Sequence, residues 1–421
     1  MDERVKIDGR RPAVRVALAA VVLLTFLTCW FAVRWQLANL LATVTRPTDQ
    51  SAADIARTAI AWSPQDPSAW AHAASSQNSL AVEHFSHAVL LAPNDYRWRI
   101  EHGRALEQRA QYEEAETQFR KAVGLAPSYA KPRWHLGNFL LRREREVEAF
   151  AEFKVAAAND FDYRNQVFSL AWEYYQKDAG KLSELAGETD EGAARLSFFL
   201  ASRGRGDESL AAWQRIAVPA PYDALRGEIA EGLFLQGQFR SALYFEREYG
   251  ANGTASVGAV SNGSFEANLT PESRSRFGWV LSEPDSKIEI SPDSRIRRDG
   301  ERSLRVAFRN FTRLETPHLS QTVAVEPSIA YRLSFWLRTE NLRTGSSLVV
   351  DVVNTDVGSP LGRAPLVATP VPDWTLVTVE FRTPQNCQGI LIRTGRLPCG
   401  DDCAVSGVIW YDGFELNKIK A

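Results

Sequence analysis

The chain has 421 residues, 45% of them hydrophobic, which is enough for two or three domains of ordinary size. Its formal net charge of −2 excludes a broadly basic nucleic-acid binder, and four cysteines are too few for a disulfide scaffold. Twelve tryptophans against a single methionine bias it toward rigid aromatic packing and flat recognition surfaces.

The first element is an anchor. Val16 to Val33 reads VALAAVVLLTFLTCWFAV, eighteen residues without a charge, between Arg15 and Arg34. A transmembrane helix needs roughly 17–25 mostly apolar residues, and Trp30 and Trp35 stand where interfacial aromatics belong. Arg4, Lys6, Arg10, Arg11 and Arg15 precede it, so the positive-inside rule keeps residues 1–15 cytoplasmic, spans the membrane with 16–35 and places the bulk outside the cytoplasm. The competing reading is a cleaved signal peptide. The run exceeds the ~7–15-residue apolar region of such peptides, and no small-x-small cleavage pattern follows it.

Between residues 50 and 250 the pattern is helical and periodic. AETQFRKAVGLAP (115–127) is matched 34 residues earlier by AVEHFSHAVLLAP and 34 later by AFAEFKVAAANDF. Ala81, Ala115 and Ala149 align, as do Phe85, Phe119 and Phe153, then Ala88, Ala122 and Ala156; Gly103 and Gly137 share the period, with Ala69 in the earliest copy. Small residues let two helices of a hairpin cross closely, Phe fills the gap to the next hairpin, and Pro93 and Pro127 stop the second helix. The period and its offsets resemble the tetratricopeptide repeat family, with three copies in register over 62–163. Weaker copies such as GLFLQGQFRSALYFE (232–246) bring the array to about five hairpins.

The resemblance implies a right-handed superhelix whose groove, lined by first helices, binds a protein partner. Arg97, Arg99, Arg104, Arg133, His135 and Arg142 fall on first helices and offer a groove for an anionic peptide or sugar, or simply a solvated face. The repeats also serve equally as a spacer. His84 and His87 lie three apart without a third ligand, which reads as a solvated or packed pair rather than a metal site.

At 251–266 (ANGTASVGAVSNGSFE) the helical pattern stops, and period-two alternation follows. SLRVAF places Leu304, Val306 and Phe308 on one face, and YRLSFWL places Tyr331, Leu333, Phe335 and Leu337 on one. These short alternating strands predict an antiparallel β-sandwich over 258–421. The fold class is thus multidomain α then β: one transmembrane helix, an α-solenoid, a jelly-roll sandwich. NGSFE (262–266), GW (278–279), DGERSLRV (299–306), YRLSFWLR (331–338), Trp374 with VTVEF (377–381) and WYDGFEL (410–416) follow in the order seen in jelly-roll carbohydrate-binding modules, which this stretch resembles.

In the final strand, alternation puts Asp412 in a row with Val408, Trp410, Phe414 and Leu416, where an unpaired carboxylate is costly. The resemblance implies a structural calcium where first and last strands meet, with Glu266 and Asp412 as acidic ligands and carbonyls near residues 300–302 completing the shell. The alternative is a hydrogen-bonded Asp412 capping a loop.

Trp336 faces away from the apolar row with Arg332 and Arg338, and Trp374 and Tyr411 extend that surface. It suits an anionic or hydroxyl-rich sugar, or the docking of a neighbouring hairpin. PCGDDC predicts a loop disulfide between Cys399 and Cys403, with Cys387 able to replace either. Asn252, Asn262, Asn268 and Asn310 open N-x-S/T sequons. No nucleophile elbow, zinc helix, phosphate loop or zinc-type cysteine pair appears, so a non-catalytic bacterial envelope scaffold in polysaccharide assembly or export is expected, without nucleic acid. The alternative is a polysaccharide hydrolase or transferase with the sandwich as accessory.

Overall fold

The computed structural model of the chain describes residues 12–46, 48–249, 255–269, 275–281, 287–313, 317–364, 371–397 and 404–419. It divides into two compact units, Met1–Leu185 and Ala186–Ala421.

The first unit is helical. It begins with α1 (Pro12–Val44), whose apolar window has a mean hydropathy of 2.5 and is long enough to cross a membrane. There follow α2 (Ala52–Trp62), α3 (Pro67–Ser76), α4 (Ala81–Leu91), α5 (Tyr96–Gln108), α6 (Tyr112–Leu125), α7 (Ala130–Arg142), α8 (Glu146–Asn159), α9 (Phe161–Tyr174) and α10 (Ala179–Ala186). The C-terminal end of α1 is already part of the helical stack: Ala38 packs with Ala59 and Ala69, and the Arg34 guanidinium donates to the Ala61 carbonyl at 3.1 Å.

The period seen in the sequence has a packing cause. Phe119 of α6 lies against Gly103 of α5, where an added Cβ would stand 3.0 Å from the ring; Phe153 of α8 lies against Gly137 of α7, where the gap is 2.6 Å. Only glycine admits the ring that closely. The helix starts are capped by the side chains of Asp66, Asp95 and Asp160, each accepting from a first-turn amide. After Pro93 and Pro127 end their helices, Arg99 and Arg133 six residues on donate to the two proline carbonyls at 2.9 Å. The earliest copy departs from this. Ala69 clusters with Ala38 and Ala59, Phe85 clusters with Ala71, Ala74, Ala81, Ala88 and Ala105, and a 3-10 turn over Asn78–Leu80 stands between the two helices of that hairpin.

The second unit contains α11 (Asp190–Ser202), α12 (Gly206–Trp213), α13 (Asp223–Leu235) and α14 (Phe239–Tyr249), followed by ten strands. These are β1 (Val280–Leu281), β2 (Ile288–Asp293), β3 (Ser303–Arg313), β4 (Leu319–Ala324), β5 (Ala330–Thr344), β6 (Leu348–Asn354), β7 (Pro360–Arg363), β8 (Thr375–Arg382), β9 (Gly389–Arg396) and β10 (Ala404–Lys418). They form two antiparallel sheets, ordered β1-β4-β9-β6-β7 and β2-β3-β10-β5-β8. The core between them holds the rows expected from alternation, Leu304, Val306 and Phe308 on β3 and Tyr331, Leu333, Phe335 and Leu337 on β5, facing Val350, Val352, Ile390 and Ile392. The short motifs of the sandwich converge: Phe265 meets Trp279 at 5.5 Å, Trp279 meets Phe414 at 5.0 Å, and Phe414 stacks on Phe335 at 4.7 Å.

Within this unit the helices are fastened to the sandwich. Phe239 of α14, Phe277 and Ala324 of β4 share one cluster, and Gly389 lies so close to Phe239 that a Cβ would stand 2.3 Å from its ring. Arg276 pairs with Glu231 and Glu246, and its amide donates to Glu246 at 2.8 Å. Helix α14, ending at Tyr249, and the non-helical residues from Ala255 onward therefore belong to one compact unit.

Candidate functional site

In the first unit, the predicted groove residues separate into two groups. Arg97 pairs with the capping carboxylate of Asp95 at 2.6 Å, and Arg133 pairs with Glu152 at 2.7 Å. Both are tied into the repeat framework. Arg104 and His135, by contrast, come together with Arg142, Trp134, Glu107 and Gln108 around a cleft of about 510 Å³. Arg104 bonds Glu101 at 2.9 Å, and Arg142 holds both oxygens of Glu107 at 2.7 and 2.9 Å. Burial, and then the charges of Arg104, Lys131 and Arg142, push the His135 imidazole down to about 4, so it is neutral near pH 7. His87 stacks on Trp70 at 4.4 Å with His84 at the indole edge, a packing arrangement.

In the sandwich, β10 corrects the alternation read from the sequence. Asp412 pairs with Trp336 of β5, but Glu415 pairs with Ser334, so three steps on β10 match two on β5. Gly413, at φ +57, takes the bulge conformation that the extra residue requires. Trp410 and Asp412 consequently lie on the outer face with Val408, whereas Tyr411, Phe414 and Leu416 face the core. Tyr411, 2% exposed, is therefore no part of a ligand surface; its hydroxyl approaches His318 Nε2 at 3.4 Å inside the sandwich.

Asp412 is buried on that outer face beneath the 298–302 loop. Its Oδ2 accepts from the amides of Arg298 at 2.9 Å and Asp299 at 3.3 Å, while Oδ1 is buried with no hydrogen-bond partner among the described residues. Beside it, Glu266 Oε1 accepts from the amides of Glu301 at 2.9 Å and Arg302 at 3.3 Å. Gly300, at φ +59, leaves room for that carboxylate, since a Cβ there would stand 2.1 Å from Oε1. Burial raises the Asp412 carboxyl above its usual range against the pull of its amide donors, and the Glu266 charge raises it further. The loop meets both carboxylates with amide donors, so the expected carbonyl shell is not the contact it makes. Among the described residues no group of three or more His, Cys, Asp or Glu side chains is placed to hold a metal ion, and these two carboxylates supply only part of the six to eight oxygens that calcium takes.

The outer face around this pair has two register-matched rows. Arg305 of β3, Trp410 of β10 and Arg338 of β5 form one; Asp412, Trp336 and Leu376 of β8 form the next. The Arg298 guanidinium lies over the Trp336 ring at 4.4 Å and Arg338 lies over Trp410 at 5.8 Å. Arg332 pairs with Glu380 at 2.6 Å, and Trp374 is half-buried just before β8. Among the described residues the helices of this unit meet the sandwich through Phe239, Phe277 and Arg276. Sequence reasoning missed Arg298, Arg305 and Trp410; the run SRIRRDGER (294–302) and the Asp-Gly step at 412–413 were the available signals. Cys399 and Cys403 lie outside the described residues, and Cys387 is a buried free thiol bonded to the Gly389 carbonyl at 3.1 Å.

No protein-family model matches the sequence, and no curated protein matches it. Similar solved structures include a CBM4 structure, with 15% identity over 38% of this chain and 99% of that one at a TM-score of 0.30. A family 16 carbohydrate-binding module has 18% identity over 38% of this chain and 98% of its own, at 0.26. MamA RS-1 has 24% identity over 29% of this chain and 71% of its own, at 0.26.

Proposed function

We propose that the protein is a non-catalytic, membrane-anchored scaffold facing away from the cytoplasm, in the assembly or export of an envelope polysaccharide. In this reading α1 is the anchor, the cleft at Arg104, Trp134 and His135 holds a protein partner, and the outer face at Trp336 holds a glycan. Asp412 and Glu266 hold a structural calcium, which supplies the positive charge that the stranded Oδ1 lacks. The observation that carries the glycan assignment is Trp336, a half-buried indole on the outer sheet face with the Arg298 guanidinium 4.4 Å over its ring, so that an apolar ring and a set of hydrogen-bond donors lie side by side.

The test uses the full chain in detergent on a glycan array. Binding is expected, and Trp336→Ala should abolish it while the circular dichroism and unfolding midpoint stay unchanged. If the array is blank for the wild type, the face does not hold a glycan.

A further inference from the structure

A cavity of about 750 Å³ lies between α11 and α13 in the second unit and shares no residue with either surface assigned above. A volume of that size takes a drug-sized ligand or a few large side chains. Phe198, Ala201 and Ser202 line it from α11. From α13 come Ala224, Gly227, Glu228, Glu231 and Gly232, spaced i, i+3, i+4, i+7 and i+8, so they form one stripe along the helix. In a core-facing helix such a stripe carries large apolar side chains. This one carries small residues and two carboxylates, while Leu225, Ile229, Ala230 and Leu233 supply the buried side of α13.

The two glycines of the stripe are unlike those of the first unit. Gly103 and Gly137 are each covered by a phenylalanine ring of the chain, whereas a Cβ added at Gly227 or Gly232 meets nothing within 4 Å. Glycine is a poor residue for a helix interior, and no contact among the described residues accounts for these two. Charge then narrows what fits. Among the described residues the charged side chains lining the cavity are Glu228, Glu231 and Arg276. Arg276 is held by Glu231 and also by Glu246, and Glu228 is exposed with no ion pair among the described residues. Three carboxylates therefore stand against one guanidinium. The other charges of α13, Asp223 and Arg226, pair with each other at 2.7 Å.

We propose that this groove takes a basic amphipathic helix of a partner polypeptide, with large apolar side chains over Gly227 and Gly232 and a lysine or arginine against Glu228. Small residues let a second backbone approach closely, and the carboxylates select the charge. From Ala224 to Gly232 the stripe runs about 12 Å at 1.5 Å per residue, roughly two turns, the length over which a helix presents an i, i+4, i+7 face to a groove.

The experiment measures binding of the full chain in detergent, with empty micelles as the blank, to an alanine-based helical peptide of about 18 residues that carries Phe and Lys four apart on one face, and to its counterpart with Glu for Lys. The lysine peptide should bind at least about tenfold tighter than the glutamate peptide. Gly227→Leu should abolish that binding without lowering the urea midpoint, because leucine is the better helix former and its Cβ meets nothing there. Should this variant unfold more easily, Ala224→Leu, at an exposed position of the same stripe, carries the same expectation. Glu228→Gln should bring the two peptides close to level and flatten the salt dependence between about 50 and about 500 mM. Wild-type binding by the leucine variants would overturn the proposal, and so would equal or tighter binding of the glutamate peptide. A lysine peptide that binds no better than the micelle blank would overturn it too.

Discussion

Arginine is abundant in both the hairpins of the first unit and the outer sheet of the sandwich, but the two regions use it differently. In the hairpins several guanidinium groups have their own acid: Arg97 has Asp95, Arg133 has Glu152, Arg142 has Glu107, and Arg145 has Glu116 and Glu148. In the sandwich, Arg298 and Arg338 lie on indoles instead. An arginine that carries its counter-charge belongs to the architecture and adds little to recognition. One parked on an aromatic face keeps its donors available. The contrast separates guanidinium groups held by acids from guanidinium groups held on rings, a distinction that counting charges along the chain does not make.

The comparison can be broken or sharpened by three measurements. The largest effect belongs to the apolar layer beneath the paired charges. Phe119, 1% exposed, fills the space that Gly103 leaves, and Phe119→Ala should cost about 3–5 kcal/mol in urea unfolding of the full chain. A cost near zero would mean that the hairpins are held by their surface ion pairs after all.

Next in size is the calcium expected at Asp412. A cation bound only by the folded chain adds about 2.7 kcal/mol at a hundredfold excess over its dissociation constant. Wild-type protein should therefore melt at a lower temperature in chelator than in calcium, and Asp412→Asn should respond much less. Identical melts for the wild type in the two conditions would leave the stranded oxygen as a purely structural oddity.

The smallest effect is a pH dependence in the cleft. The native imidazole of His135 sits at about 4, below its ordinary value of 6.5, so between those values the unfolded chain binds more protons than the folded one. That contribution is complete above about pH 6.5 and is lost as pH falls toward about 4. His135→Gln should shrink the gap between the urea midpoints at about pH 7 and about pH 4. An unchanged gap would place the acid sensitivity elsewhere, for instance at His318, which burial pushes down to about 3.

Much of the architecture was legible because it follows from periodicity. The 34-residue recurrence of Ala, Phe and Gly is a direct imprint of helices crossing at contact distance, and the alternating rows of β3 and β5 appear in the core as read. What failed depended on a single residue or on distant partners. Gly413 shifts the phase of β10 by one, which moved Tyr411 from the surface to the core and Asp412 from a core row to the outer face. Alternation contains no term for a bulge. The grip of the 298–302 loop on Asp412 joins residues more than a hundred positions apart, and nothing local announces it. In the hairpins the arginines of the cleft were found by position alone. Their acidic partners, often 19 to 35 residues away, were not.

One feature of the first unit bears on mechanics. A flexible tether lets a binding domain wander through a hemisphere above the bilayer, and its orientation is lost to entropy. Here α1 runs unbroken from Pro12 to Val44, about 50 Å at 1.5 Å per residue, against a hydrocarbon layer of about 30 Å. Its far end is seated among the first short helices by Ala38 and Leu41. With α1 in the membrane as proposed, the helix is a mast rather than a leash: the tilt of the membrane segment sets the heading of the hairpins mounted on it. A partner embedded in the same bilayer would then meet the Arg104–His135 cleft at a restricted height and bearing, and a glycine pair inserted after Arg34 would release that aim without touching any contact in the cleft.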